Sequence, residues 1–211
     1  MFNIHTQTHK LISNHLYKHI KDSYDIELNY EKLTWGSIAP DILPKYKLYR
    51  HYYENSIDYI ILKIAKLIFV NRFIDLSNCN YLTLKMFSRD LGIISHYLSD
   101  FTCLAHADRW EMPKSLVKHV KYEKELNEYS KTHVFKSPEV NKVSIDIDTS
   151  EIFKQLPKIK LFIESVIYEY LQERSFERDL DFALYLNKAV FGFVIESIQE
   201  YNDEKHFAYS Y

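Results

Sequence analysis

Residues 81–106 read YLTLKMFSRDLGIISHYLSDFTCLAH. Apolar side chains recur at Phe87, Leu91, Ile94, Leu98 and Phe101, the spacing of one face of an α-helix. The opposite face holds Gly92, Ile93, His96, Asp100 and Cys103, and between Leu91 and Ala107 the only full charge is Asp100. A helix that is apolar on nearly all sides is buried. The segment 81–106 is therefore expected to be one long central helix. Its lone carboxylate is costly in a core unless it is paired or coordinates a metal.

Working outward, the 3.6-residue period continues with little alternation. Helices are expected at about 8–21, with Thr8 near the start, at 53–70 (Ile57, Ile60, Ile61, Ile64, Leu67, Ile68), at 114–131, at 150–173 and at 175–203. Residues 30–50 contain Trp35-Gly36, Pro40-Asp41 and Pro44, and read as a short helix followed by a rigid loop. Residues 132–149, with Pro138 and the alternating VSIDID, read as a long loop with an extended piece. With only 3 Gly and 5 Pro, the chain lacks the turn chemistry of a sheet protein. The expectation is an all-α, multi-helix single domain over 1–211.

Composition narrows the function classes. Lys+Arg 27 against Asp+Glu 29 gives a net charge of -2, which offers no bulk electrostatic case for nucleic acid or an anionic membrane. Two cysteines, Cys79 and Cys103, allow one disulfide but no disulfide framework. The opening MFNIHTQTHKLI lacks the basic and apolar regions of a signal peptide. The apolar run Ile60–Val70 is short and broken by Lys63 and Lys66. The expected location is the cytoplasm, or outside the cell for a chain already stripped of a leader.

Ten histidines stand in the chain, and two of them form i, i+4 pairs with a carboxylate: His96/Asp100 and His119/Glu123. Such pairs share a helix face and can grip one ion. Chance alone gives roughly 1.4 such pairs for this composition, so spacing by itself decides nothing. Context says more. On 114–131, Lys118, Lys121, Lys124, Glu125 and Glu128 crowd one face, while His119 and Glu123 lie beside Leu116, Val120 and Leu126. Both pairs point inward. They are either metal ligands or buried pairs that satisfy each other.

The order of residues resembles a known family. Thr8-His9, then Trp35-Gly36 through Pro40-Asp41, then His51, then H-x3-D-x5-H at His96, Asp100 and His106, then H-x3-E at His119 and Glu123, is similar to the bacterial zinc-dependent phospholipase C family, which includes the catalytic domain of secreted alpha-toxins. The likeness runs over residues 8–123. It implies an all-helical fold with two or three zinc ions in one cleft. By the resemblance, Asp41, His51, His96 and Asp100 hold the first ion, His106, His119 and Glu123 the second, and His9 with a shared Asp100 the third. It also implies hydrolysis of a phospholipid or related phosphodiester through a zinc-activated water, with Asp41 as ligand and orienting base.

The sequence departs from that family in places. The family's N-terminal Trp, which completes the third site, has no counterpart in Met1-Phe2, so that site is expected to be absent, weaker or completed by His5, itself as readily a surface residue. Choline-preferring members carry aromatics where this chain has Ile42 and Leu48, and aromatic faces are what hold quaternary ammonium. No stretch of the 211 residues corresponds to the calcium-dependent lipid-binding domain of the toxins. The expected partners are a phospholipid or phosphodiester substrate and peripheral membrane contact, without nucleic acid. The competing readings are a zinc nuclease of the related fold and a metal-stabilised module without activity.

Smaller expectations complete the reading. Trp35 is expected in the core, with Gly36 shaping the loop that presents Asp41. Cys103 is expected to be a buried filler beside the site, and Arg109 either a phosphate contact or a salt-bridge partner. Arg89 and Asp90 read as surface residues. His15, His19, His133 and His206 read as solvated or capping, and Phe207, Tyr209 and Tyr211 as a tail.

Overall fold

The central helix is buried on every side. In a computed structural model, which describes residues 6–110, 115–140 and 149–208, Leu91 to Phe101 are all buried, polar members included. This helix, α4 (Tyr81–Phe101), starts where the Asn80 side chain accepts from the Thr83 amide at 3.0 Å. Around it pack α1 (Thr6–Tyr24), α2 (Tyr30–Ile42), α3 (Tyr53–Asn71) and α8 (Phe176–Ala208). The short α5 (Leu104–Ala107), α6 (Leu116–Ser130) and α7 (Leu156–Tyr170) close the remaining sides, with 3-10 turns at Pro44–Leu48 and Thr149–Gln155. Among the described residues there is no strand, and the all-α expectation holds. The predicted extended piece at 143–148 lies outside the described residues, as do His5, Tyr209 and Tyr211.

Two local readings are corrected. Asp41 is not on a loop: α2 runs through Pro40 to Ile42 and carries Asp41 in its last turn. Trp35 is 39 % exposed and not in the core, because the inner face of α2 belongs to Leu33, Gly36, Ser37 and Pro40.

The third correction concerns the central helix, which was expected to reach residue 106. It stops at Phe101. Cys103 adopts an extended backbone (φ -115°, ψ 125°), and α5 sets off in a new direction. In a continuous helix the Leu104 amide would bond to the Asp100 carbonyl. Here the Cys103 amide takes that carbonyl at 3.1 Å, and the Leu104 amide donates instead to Oδ2 of Asp179 at 3.2 Å. Neither Gly nor Pro marks the break. A distant buried carboxylate takes up the amide that the break leaves over.

Candidate metal centre

The site begins with a contact between two glycines. A β-carbon on Gly36 would lie 2.2 Å from the Arg89 carbonyl oxygen, and one on Gly92 would lie 2.2 Å from that of Leu33. Only side-chain-free residues let the backbones of α2 and α4 approach this closely. The approach brings the Ser37 carbonyl within 2.8 Å of His96 Nδ1. A carbonyl can only accept, so Nδ1 carries a proton, and in the neutral tautomer that leaves Nε2 its lone pair.

That lone pair faces other acceptors. His96 Nε2 lies 3.2 Å from Asp100 Oδ2, 3.6 Å from Asp41 Oδ1 and 3.2 Å from His51 Nδ1. His51 Nδ1 in turn lies 2.9 Å from Asp100 Oδ2 and 3.5 Å from Asp41 Oδ1. One proton can bridge one donor to one acceptor. A metal ion at the centre satisfies all of these atoms at once. Zinc–ligand bonds of about 2.0–2.1 Å in a tetrahedron separate the ligands by about 3.3–3.4 Å, and the observed distances scatter around that value.

The second group repeats the pattern. His119 Nδ1 donates to the Trp110 carbonyl at 3.2 Å, which turns its Nε2 lone pair toward Glu123 Oε1 at 2.8 Å. His106 Nε2 lies 3.3 Å from the same oxygen. The break after α4 makes this possible. In a straight helix His106 would sit about 9 Å along the axis from Asp100 and on another face. With α5 redirected, its Nε2 lies 3.7 Å from Asp100 Oδ1.

Asp100 joins the groups. Its Oδ2 faces His51 and His96, while its Oδ1 faces His106 and, at 3.4 Å, His9 Nε2. His9 stacks on His96, with ring centroids 4.3 Å apart. All eight residues singled out in the sequence (His9, Asp41, His51, His96, Asp100, His106, His119 and Glu123) thus meet in one cluster. Ligand-spaced triplets fall at His9/Asp41/His96, His51/Asp100/His106 and His106/His119/Glu123. The last is the second set implied by the resemblance, while the first two cut across the expected grouping, as Asp100 and His106 each reach two neighbours.

The electrostatics suit cation binding. Burial would raise the Asp100 carboxyl, but His106, His96, His51 and His9 around it hold it well below the usual carboxylate range. Burial opposes a charge on His51, yet Asp100 and Asp41 raise it above the ordinary imidazole value. Burial pushes His106 down to about 3, so its ring is neutral and free to ligate. Asp41 Oδ2 and His106 Nδ1 are buried atoms with no hydrogen-bond partner among the described residues. Buried polar atoms in that state are uncommon, and a bound ion or ordered water is the usual remedy. The His/Asp/Glu donor set is that of hydrolytic zinc, not of structural Cys-rich zinc.

Beside the cluster lies a small cavity of about 40 Å³, walled by Asp100, His106 and Glu123 on one side and Ile12, Leu126 and Leu180 on the other. Cys103 lines it as a buried thiol whose pKa burial pushes well up. Arg109 is an ion-pair partner, 2.7 Å from Glu54, with a left-handed backbone (φ 49°) three residues past His106. Asp90 is held by Lys63 at 3.2 Å and Arg89 at 3.1 Å.

Some residues near the site escaped the sequence reading. His133 is not a solvated loop residue: its side chain is 4 % exposed and its Nε2 lies 2.8 Å from Asp181 Oδ1. Asp179, which lines the cavity, is 2 % exposed and accepts from two tyrosines. In sequence both aspartates lie in FERDLDF, the opening of a helix, where acidic residues ordinarily complement the helix dipole.

Among curated proteins and among solved structures, none matches the chain. A family model does: the one described as zinc dependent phospholipase C matches residues 8–180, which takes in every member of the cluster, and the chain belongs to that family.

Proposed function

We propose that this protein is a zinc-dependent phosphodiester hydrolase that cleaves the headgroup bond of a phospholipid, and that residues 1–211 act as one domain. The carrying observation is Asp100, whose two oxygens face four histidine nitrogens contributed from either side of it in the chain. A carboxylate so placed can be shared between ions. Asp41, His51, His96 and Asp100 are the proposed ligands of one zinc, and His106, His119 and Glu123 of a second. His9 with Asp100 is the core of a third site. Bound zinc supplies Lewis-acid polarisation of a phosphoryl oxygen and lowers the pKa of the water it holds to about 7.

The side chains have distinct tasks in this reading. His96 and His119 are fixed by the Ser37 and Trp110 carbonyls, so their ligating nitrogens are aimed before substrate arrives. Asp41 is the proposed catalytic residue. Its Oδ1 faces His51 and His96, which leaves Oδ2 to orient the attacking water and accept its proton. Exposed Ile42 follows Asp41, and exposed Leu116 and Val120 flank His119. These apolar groups near the cluster favour peripheral contact with a lipid surface over a nucleic-acid strand.

The test is metal content after purification without added zinc, followed by turnover of a chromogenic phosphodiester, phospholipid micelles and single-stranded DNA. The expected result is at least two zinc ions per chain and hydrolysis of lipid over DNA. Protein free of transition metal, or activity confined to DNA, overturns the reading.

A further inference from the structure

At the break in the central helix the amide of Leu104 is held by Asp179. This carboxylate lies in the first turn of α8, almost wholly buried, with no cation paired to it among the described residues. Its Oδ2 accepts from the Leu104 amide at 3.2 Å and from the Tyr122 hydroxyl at 2.7 Å. Its Oδ1 accepts from the Tyr170 hydroxyl at 2.7 Å. It lines the same small cavity as Asp100, His106 and Glu123.

Those donors are not arbitrary. Leu104 is the first residue of α5, which carries His106. Tyr122 is on α6, between His119 and Glu123. One oxygen of Asp179 therefore ties together the two helices that contribute the whole second ligand set, and neither helix bearing the first set is attached to it. Without an acceptor at that point, the Leu104 amide has its helical partner, the Asp100 carbonyl, within one turn. Taking that partner would straighten the chain and swing His106 off the cluster.

We propose that Asp179 is the positioning residue of the second metal set, holding His106 on α5 in register with His119 and Glu123 on α6. The proposal rests on the metal reading above and touches neither ion directly. Groups of this kind, one step removed from the ligands, change metal affinity about 10–100-fold when lost. Asn at 179 can serve almost as well. Its oxygen can accept from both Leu104 and Tyr122, while its amide turns to the Tyr170 hydroxyl. Leu fills similar space and accepts nothing.

The experiment titrates metal-free protein with Co²⁺ at pH 8 and follows the visible absorption of each ion, with circular dichroism to report folding. In wild-type protein two binding steps are expected. Asp179→Leu should weaken the second step at least tenfold and leave the first unchanged, and Asp179→Asn should restore it to within a few-fold. Tyr122→Phe and Tyr170→Phe separate positioning from bulk stability. Both remove one hydrogen bond to Asp179, but only Tyr122 is on a ligand-bearing helix. Tyr122→Phe should weaken the second step, and Tyr170→Phe should lower the melting temperature alone. Equal weakening of both steps in Asp179→Leu, or of the second step in both tyrosine variants, assigns Asp179 to general stability and overturns the proposal. Unchanged affinities overturn it too. If Asp179→Leu does not fold, the tyrosine pair decides. Wild-type protein that takes up no cobalt refutes the metal reading itself, a result distinct from any difference among variants.

Discussion

Gly36 packs against Gly92 with nothing between the two backbones: a β-carbon on Gly92 would come within 2.9 Å of the Gly36 α-carbon. The contact sets the height at which α2 crosses α4, and so the distance from the Ser37 carbonyl to His96. Gly92→Ala cannot be absorbed by a flexible side chain, since what it meets is backbone. Overpacking of this kind costs about 1–3 kcal/mol. The helices must part, and the His96–Asp41 geometry parts with them. The expected outcome is a lower melting temperature together with weaker binding of the first ion, while the second, which contains no α2 residue, holds. Calorimetry and metal titration on the same sample check both halves.

Two of the three carboxylates of the cluster, Asp41 and Asp100, should fail differently from the histidines around them. His119→Ala removes a ligand for which α6 offers no substitute beyond Glu123, so one ion should be lost and the melting temperature should drop, since metal binding energy is linked to folding. Asp100→Ala removes oxygens that face four histidines and should cost the first ion and the third site together, while His106, His119 and Glu123 keep the second. Asp41→Asn keeps an oxygen ligand but loses the charge, so activity should fall more than stability. Zinc stoichiometry, melting temperature and phosphodiesterase rate across the three variants read the pattern. Loss of a single ion in Asp100→Ala would show that the carboxylate is not shared.

His133→Ala separates a structural histidine from the ligating ones. Read as a loop residue, His133 is expendable, yet its ring fills a gap beside Phe135 and meets buried Asp181. Truncation leaves the Asp181 carboxylate with the Lys136 amide as its remaining partner at 2.9 Å. A buried acceptor stripped of a partner costs about 1–3 kcal/mol. Zinc content should stay at the wild-type value while the denaturation midpoint falls. Metal loss in this variant would place His133 in the ligand set.

Headgroup choice follows from what the cleft lacks. Ile42 is 45 % exposed and Leu48 85 %, so neither position offers an aromatic face to a quaternary ammonium group. Elsewhere on the rim, the ring of Trp110 is already covered by the Lys118 ammonium at 3.5 Å from its centroid. Hydrolysis of choline, ethanolamine and inositol phospholipids in mixed micelles should differ by less than about a hundredfold, equivalent to 2.7 kcal/mol. A larger choline preference would require an aromatic cage built from other residues.

The helices were legible in local spacing, whereas of the cluster spacing marked only the His96/Asp100 and His119/Glu123 pairs, and His9, Asp41, His51 and His106 entered through the resemblance in residue order. The Phe87-to-Phe101 stripe marks a buried helix, and i, i+4 pairs mark residues that share a face. What local spacing cannot carry is a partner from the far end of the chain. Nothing within 101–106 announces that the helix stops, because the acceptor that takes up the freed amide is 75 residues away. His133 was misjudged likewise, since its partner Asp181 lies 48 residues on and reads as an ordinary first-turn acid. Trp35 erred in the other direction. Its size suggests a core residue, but α2 spends its inner face on Gly36 and Ser37 to reach α4, and the indole is left outside.

Asp179 also gives the metal-free protein a pH signature. Burial pushes its carboxyl up to about 7, against the pull of the Tyr122, Tyr170 and Leu104 hydrogen bonds, while in the unfolded chain it titrates near 3.8. Between those values the folded state keeps a proton that the unfolded state has released. Stability therefore falls as pH rises through that window and levels off above it. Asn cannot titrate, so Asp179→Asn lacks this contribution. Urea denaturation of the two metal-free proteins at pH 5 and pH 8 isolates the effect. At pH 5 wild type should match or exceed the variant. At pH 8 the balance should have moved toward the variant by on the order of 2 kcal/mol, from 1.36 kcal/mol for each unit of pKa shift crossed. Parallel pH profiles would mean that the hydrogen bonds hold the carboxylate ionised throughout, and that Asp179 does its positioning as a permanent anion.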